Sequence, residues 1–213
     1  MIVVLTGAPG AGKGTQADLL AERCGWRKVS TGDALRKHVK LKTQIGQVAG
    51  AIMARGELVP DDVLFQVLKE ELGNDPKEKI LLDGYPRNVA QATTLDSIGQ
   101  SNPVASAIHL EVARAELISR ISGRRVCEKC GATFHVVASP SKSGNTCDRC
   151  GGALVQRPDD GAEKVAVRLD VYEKSTRPVL EFYQKKSLYR EVNGEGSTEM
   201  IFKRLADVIS FIK

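Results

Sequence analysis

At the N-terminus an apolar run, IVVLT, passes directly into the glycine-rich stretch GAPGAGKGT, and a helical pattern follows it. The stretch nearly matches the phosphate-binding pattern G-x-x-x-x-G-K-[ST]. In a strand–loop–helix unit of this kind, backbone N–H groups and the positive end of the helix face an anion, and glycines allow it to approach closely. The sequence therefore predicts a site for nucleotide phosphates, with a ligand-free strand–helix turn as the alternative.

The loop departs from the common pattern at its last position. Gly14 stands where a Ser or Thr ordinarily ligates Mg²⁺, and a hydroxyl arrives one residue later, at Thr15. One helical step rotates a side chain by about 100°, so Thr15 should face elsewhere. We expect Mg²⁺ at this site to be held mainly by phosphates and water, which agrees with its tendency to keep several waters.

The rest of the chain alternates short apolar runs with helical patterns. The predicted strands after IVVLT are RKVS, KILLDG, SAIHLEV and LYREVNG. The predicted helices include STGDALRKHV, QIGQVAGAIMARG, DDVLFQVLKEEL and the closing TEMIFKRLADVISFIK. Short, continuous apolar runs are typical of strands buried on both faces. The alternation predicts an α/β fold in which a five-stranded parallel sheet carries helices on both faces.

A different composition marks the segment 123–160, which is rich in Gly, Ser and Pro and has little helical periodicity. It contains two C-x₂-C pairs, formed by Cys127, Cys130, Cys147 and Cys150. This spacing is typical of a structural Cys₄ zinc site, in which four thiolates leave no open position for catalysis. Iron suits the same four sulfurs, and two disulfides or free thiols are the alternatives without a metal.

Composition narrows the class of protein. The 213 residues are 42% hydrophobic and 27% charged, with a net charge of +5, which suits an anionic ligand but also an ordinary basic surface. No apolar run is long enough to span a bilayer, and a strand begins at Ile2, so we expect a cytoplasmic protein without a membrane partner. The remaining cysteine, Cys24, is expected to be a small buried hydrophobe.

Six motifs occur in order along almost the whole chain: GAPGAGKGT, STGDALR, ARGELV, LLDGYPRN with Gln91, GRRVC, and RPDD followed by VAVRL. Together they resemble the adenylate kinases, of the long bacterial type with a metal-binding lid. The resemblance implies reversible phosphoryl transfer from MgATP to AMP, giving two ADP. It also implies a P-loop core (1–29, 60–122 and 161–213), a helical AMP-binding flap (30–59) and a zinc-binding lid (123–160).

The resemblance also implies the site residues. On the ATP side they are Gly10, Ala11, Gly12, Lys13, Gly14, Thr15, Arg120, Arg124, Thr133, Phe134 and Gly196. On the AMP side they are Thr31, Arg36, Glu57, Leu58, Val59, Gly84, Tyr85, Pro86, Arg87, Gln91, Arg157 and Arg168. The catalytic cations among them are Lys13, Arg87, Arg124, Arg157 and Arg168. Arginine suits this role because its planar fork binds phosphate through two hydrogen bonds and stays charged.

For two sets of acidic residues the sequence leaves the role open between two alternatives. Asp83 ends a predicted strand and by resemblance orients Mg²⁺ through water, with a turn aspartate before Gly84 as the alternative. Asp159 and Asp160 follow Arg157 and either steer lid closure or are solvated acids.

The predicted partners are the nucleotides ATP, AMP and ADP, and we expect the protein to be a monomer. Another nucleoside monophosphate as acceptor is one alternative. A nucleic-acid-binding ATPase is the other, although aromatic residues are only 5% of the chain and no basic strand with interleaved aromatics occurs.

Overall fold

The computed structural model describes residues 1–72, 78–98 and 102–212. The strands are β1 (Ile2–Thr6), β2 (Arg27–Ser30), β3 (Ile80–Asp83), β4 (Val104–Glu111), β5 (Arg124–Cys127), β6 (Thr133–His135), β7 (Leu154–Val155) and β8 (Tyr189–Asn193). The α-helices are α1 (Lys13–Cys24), α2 (Thr31–Lys40), α3 (Gln44–Ala54), α4 (Asp61–Leu72), α5 (Val89–Ile98), α6 (Arg114–Ser122), α7 (Ala162–Val171), α8 (Pro178–Lys185) and α9 (Thr198–Ser210).

Five strands form one parallel sheet in the order β2-β3-β1-β4-β8, and these are the five strands that the sequence predicts. Every residue of the central strand β1 is buried, which explains its uninterrupted apolar sequence. Helices cover both faces. Leu20 of α1 and Leu205 of α9 pack on one face, and Leu68 of α4 and Leu95 of α5 pack on the other. Burying each such leucine contributes about 1.5–3 kcal/mol.

Helices α2 and α3 pack against each other beside the sheet. The hydroxyl of Ser30 caps α2 by accepting from the Asp33 N–H, and the hydroxyl of Thr43 caps α3 by accepting from the Gly46 N–H. Gly46 has no space for a side chain, because a Cβ there would lie 2.1 Å from the carbonyl oxygen of His38. The two helices therefore approach each other closely at Gly46.

The segment 123–160 forms a separate antiparallel sheet in the order β6-β5-β7. Its fully buried apolar side chains are those of Cys127 and Cys147. Such a unit has too little apolar mass to be stable by burial alone. The domain boundaries stated above stay a prediction.

The structure differs from expectation at two places. Cys24 is exposed rather than buried: it shares the inward face of α1 with Ala17 and Leu20, but it is the last residue of the helix, directly before the Gly25 cap. A π-helix, Tyr172–Thr176, separates α7 from α8, and no sequence pattern predicted it.

Among the described residues, no helix combines the length and the apolar character that crossing a bilayer requires.

Candidate active site

The phosphate loop joins β1 to α1 as expected. Gly10 and Gly12 have φ values of 87° and 91°, which favour glycine, and α1 begins at Lys13. The Lys13 ammonium donates to the carbonyl oxygens of Gly7 (2.8 Å) and Ala8 (3.1 Å). Burial lowers the pKa of Lys13 to about 8, against the opposing effect of the Asp83 carboxylate. The loop thus holds an ammonium group whose charged form is disfavoured by burial until an anion binds.

Position 14 faces Asp83. A Cβ added to Gly14 would lie 3.5 Å from Oδ2 of Asp83, at the carboxyl end of β3. The glycine therefore keeps the space between the phosphate loop and this carboxylate open. The carboxyl ends of parallel strands are where ligands of open α/β sheets gather.

Arginines from three parts of the chain converge on the same region. Arg87 follows β3, Arg168 lies on α7, Arg124 begins β5, Arg157 follows β7 and Arg36 lies on α2. Burial, together with Arg168, lowers the pKa of Arg87. Burial lowers the pKa of Arg157 to about 10, with further contributions from Arg36 and Arg124. Because these cations repel one another, the cluster favours the binding of a polyanion.

Asp160 organises part of this cluster. Its side chain has no exposed surface, and its carboxylate accepts two hydrogen bonds from Arg124 and one, at 2.9 Å, from Arg168. Asp159 Oδ2 lies 2.8 Å from Arg168. Both acids are therefore ion-paired with site arginines, which excludes the solvated alternative. Sequence spacing alone did not reveal this arrangement, since Arg124 and Asp160 lie at opposite ends of the lid.

Several of the predicted AMP residues lie together directly after β3. The Thr31 hydroxyl donates to the Gly84 carbonyl at 2.9 Å, and the Tyr85 and Pro86 side chains are buried beside it. Arg87 Nε donates to the same carbonyl at 2.8 Å. Val59 is buried. The structure thus brings the flap and the loop after β3 together.

Two members of the predicted AMP set are already engaged within the protein. The Gln91 amide donates to Asp61 Oδ1 (2.6 Å) and accepts from the Arg87 N–H (2.6 Å). An amide has two N–H groups and two lone pairs, so one of each stays available. Asp61 is a site neighbour that the sequence did not suggest. Glu57 pairs with Arg55 at an exposed position, and Leu58 beside it is half-buried.

The residues predicted to surround the ATP base come from two places. Thr133 and Phe134 lie on β6 of the lid, paired with Val126 and Arg125. Gly196, with a φ of 105°, lies in the loop between β8 and α9 of the core. Arg120 on α6 connects to that loop through a 2.8 Å hydrogen bond to the Gly194 carbonyl.

The four lid cysteines are brought together as predicted. Their sulfur atoms all lie within 4.8 Å of one another, and the Cys127–Cys150 and Cys130–Cys147 Sγ distances are 3.5 and 3.6 Å. Four sulfurs around zinc at about 2.3 Å lie about 3.8 Å apart, so the donor set and its spacing fit a tetrahedral ion. The N–H of Cys130 helps to lower the pKa of Cys127 to about 6, toward the thiolate that a metal needs. All four cysteines are free of disulfides.

Comparisons with known proteins agree with this geometry. A sequence model of the adenylate kinase family matches residues 5–188. An adenylate kinase of Thermodesulfovibrio yellowstonii is 46% identical over 212 residues, which are 98% of this chain and 99% of that protein. An adenylate kinase of Geobacillus sp. is 44% identical over 98% of both chains, and one of Methanosarcina mazei is 44% identical over 99% of both. With the phosphate loop, the converging arginines and the four-cysteine cluster in place, this similarity along the whole length shows that the chain belongs to the adenylate kinase family.

Proposed function

We propose that this chain transfers the terminal phosphoryl group of MgATP reversibly to AMP, giving two ADP, with the residues described above in specific roles. The observation that carries these roles is the convergence of Lys13 with arginines from core, flap and lid at the carboxyl ends of β1 and β3. Two nucleotides that meet through their phosphates bring several negative charges together. Neutralising that charge in the transition state is most of what phosphoryl transfer requires of a protein.

On the ATP side, the phosphates lie on the loop from Gly10 to Thr15, where Lys13 contacts the outer phosphates. Arg124 joins Lys13 from the lid, held in place by Asp160. The base lies between Arg120, Thr133 and Phe134 on one side and the Gly196 loop on the other. Because these contacts are divided between lid and core, ATP binding favours lid closure, which excludes water.

On the AMP side, Arg36, Arg87, Arg157 and Arg168 contact the acceptor phosphate or the transferring group. Thr31 and Gln91 contact the base with their polar groups, and the segment 57–59 contacts it largely through backbone. Gln91 still has one N–H and one lone pair, which is the combination that the edge of adenine needs.

The chain's own groups account for the reaction without a general base. The AMP phosphate is already an anion at neutral pH, so the protein has to align it with the ATP phosphate and stabilise the charge. Mg²⁺, when bound with ATP, supplies further positive charge between the phosphates. Asp83 and the space left by Gly14 suit a hydrated ion there.

The lid cysteines would hold a structural zinc, and iron remains the alternative for the same four sulfurs.

We also propose that the protein acts as a cytoplasmic monomer. Both nucleotide sites are built from one chain, so no second copy is needed to complete them. Reduced, closely spaced thiols agree with a reducing compartment.

The deciding experiment is phosphoryl transfer from MgATP to AMP, GMP, CMP, UMP and dTMP, each with a control that lacks the acceptor. Fast ADP formation with AMP alone supports the proposal. Equal rates with another monophosphate would reassign the acceptor. ATP breakdown without any acceptor, especially if RNA or DNA increased it, would instead favour the ATPase alternative.

A further inference from the structure

The chain leaves β8 through a short connection to α9, which we call the β8–α9 loop (residues 194–197). Three successive carbonyls at its start accept hydrogen bonds from two arginines. Arg204 on α9 donates through Nη1 to Asn193 O (2.9 Å) and Glu195 O (2.7 Å). Arg120 on α6 donates through Nη1 to the carbonyl between them, that of Gly194, at 2.8 Å.

These two arginines hold the loop from opposite edges. Successive carbonyls of an extended chain point in opposite directions, so Asn193 and Glu195 face α9 while Gly194 faces α6. Arg120 is itself oriented by a 2.9 Å hydrogen bond from its Nε to Glu116. Because the donors are charged, these bonds are stronger than those between neutral groups.

A third anchor connects the same region to the phosphate loop. Gln16, next to Thr15 on α1, is 2% exposed, and its amide nitrogen donates to the carbonyl of Thr198 at 2.9 Å. Thr198 begins α9, directly after the β8–α9 loop. The amide oxygen of Gln16 has no hydrogen-bond partner within the described part of the chain. Burying an amide oxygen without a hydrogen-bond partner costs folding free energy. The presence of Gln16 at this position therefore points to a role beyond packing.

The fold of α9 does not require Arg204. The helix is capped by Ser197, whose hydroxyl accepts from the Met200 N–H, and it packs through Ile201, Leu205 and Ile209. These features attach α9 to the sheet. They do not determine where the carbonyls of the preceding loop lie.

We propose that Arg204 and Gln16 are positioning residues for the base of ATP. Together they set the separation between the phosphate loop and the β8–α9 loop, and thus the length available to the nucleoside. The inference rests on the proposed function, in which Gly196 lies against that base. Gly194 and Gly196 have no side chain to hold the loop, and Glu195 attaches it on the side of α6, where its carboxylate accepts from the Ala113 N–H at 3.1 Å. The anchors supplied by Arg204 and Gln16 on the side of α1 and α9 complete the preorganisation and lower the ordering cost of binding.

The test distinguishes binding contacts to the base of ATP from binding contacts to its phosphates. Calorimetry would measure the binding of a non-hydrolysable ATP analogue, of inorganic tripolyphosphate and of AMP to the unmodified protein and to Arg204→Met. We expect the ATP analogue to bind about tenfold more weakly to the variant, the loss expected when charge-assisted hydrogen bonds are removed. Tripolyphosphate and AMP should bind as before, because neither contacts the β8–α9 loop.

Further variants control for general damage. Arg190→Met removes an arginine that also bonds two carbonyls, those of Ser187 and Tyr189, but at the other end of β8, and it should change none of the three affinities. Arg204→Lys should recover part of the loss. Gln16→Met, which keeps the side-chain size without the donor, should weaken the ATP analogue alone.

Unchanged binding of the ATP analogue by both Arg204→Met and Gln16→Met would overturn the inference, as would an equal loss for tripolyphosphate. If Arg204→Met failed to fold, Arg204→Lys and Gln16→Met would carry the same test. The proposed function fails separately, if the unmodified protein makes no ADP from ATP and AMP. The binding comparison does not depend on turnover.

Discussion

The hydroxyl of Thr176 donates a 2.9 Å hydrogen bond to the backbone carbonyl of Arg87, from a residue 89 positions further along the chain. Thr176 ends the π-helix, where the Arg177 N–H donates to the Tyr172 carbonyl five residues earlier. The wider turn directs a buried threonine at the loop after β3. π-Helical turns of this kind are frequent at functional sites.

Replacing Thr176 with Val keeps the shape of the side chain and removes the donor. We expect the protein to lose about 1 kcal/mol of folding free energy, the usual size of one hydrogen bond, and kcat to fall several-fold because Arg87 is less well placed. Steady-state kinetics and thermal unfolding would measure both effects. Thr176→Ser retains the hydroxyl and should recover most of the rate; equal losses in the two variants would show that the methyl group, not the hydrogen bond, matters.

Gly14→Ala tests the space between the phosphate loop and Asp83. The added methyl lies in ordinary contact with that carboxylate at 3.5 Å, and alanine favours a helix over glycine by about 1 kcal/mol, so the protein should be at least as stable. We expect kcat to fall and more Mg²⁺ to be needed for half-maximal rate. Gly50→Ala places a methyl at the same distance, 3.5 Å, from Val39 and serves as the control. An unchanged Mg²⁺ dependence would argue against a hydrated ion at this place.

Arg157→Met should stabilise the protein in the absence of nucleotide while it slows transfer. The pKa of Arg157 is lowered to about 10 by burial and by Arg36 and Arg124, so its charge opposes folding, and its Nε has no hydrogen-bond partner among the described residues. The cost is fully present below about pH 10 and diminishes only above it. We therefore expect a rise in Tm of about 2–4 °C per kcal/mol relieved, constant between pH 6 and pH 9.

The control for this variant is Arg125→Met, which removes a lid arginine that bonds the carbonyls of Ser122 and Arg124 within the described residues and should not raise Tm. Tripolyphosphate should stabilise the unmodified protein more than Arg157→Met. A lower Tm for Arg157→Met at neutral pH would contradict the electrostatic explanation.

Removing the metal should unfold the lid and leave the core intact. Within the described lid only Cys127 and Cys147 are buried apolar residues, so a metal held by the four cysteines would supply much of the stability of that unit. A strong chelator, or Cys147→Ser, should make the segment 123–160 sensitive to proteases and leave the thermal transition of the core in place. Cys24→Ser, at an exposed position outside the lid, should change neither metal content nor cleavage. A lid that resists proteases without metal would contradict this prediction.

Local patterns were sufficient to predict the main elements. The five parallel strands are short apolar runs because burial on both faces requires such residues, and a glycine-rich turn between a strand and a helix has few other uses. The cysteine pairs are equally local, since two residues between thiolates are enough to place both on one metal. The π-helix had no comparable pattern, because helix propensity differs little between α- and π-turns. The exposed position of Cys24 had none either, because the residue lies on the buried face of α1 and is exposed at the end of that helix.

The contacts within the site depend on distances along the chain that no pattern encodes. Sequence by itself identified the phosphate loop and the cysteines, because each of those chemistries restricts residue type and spacing, and the resemblance to a family supplied the arginines. Only the tertiary structure revealed that Asp160 is buried between Arg124 and Arg168, that Gln91 is shared between Asp61 and Arg87, and that Arg204 and Gln16 anchor the loop after β8. Those pairings arise when separate elements pack together, and a side chain's partner is then decided by geometry across the fold rather than by its neighbours in sequence.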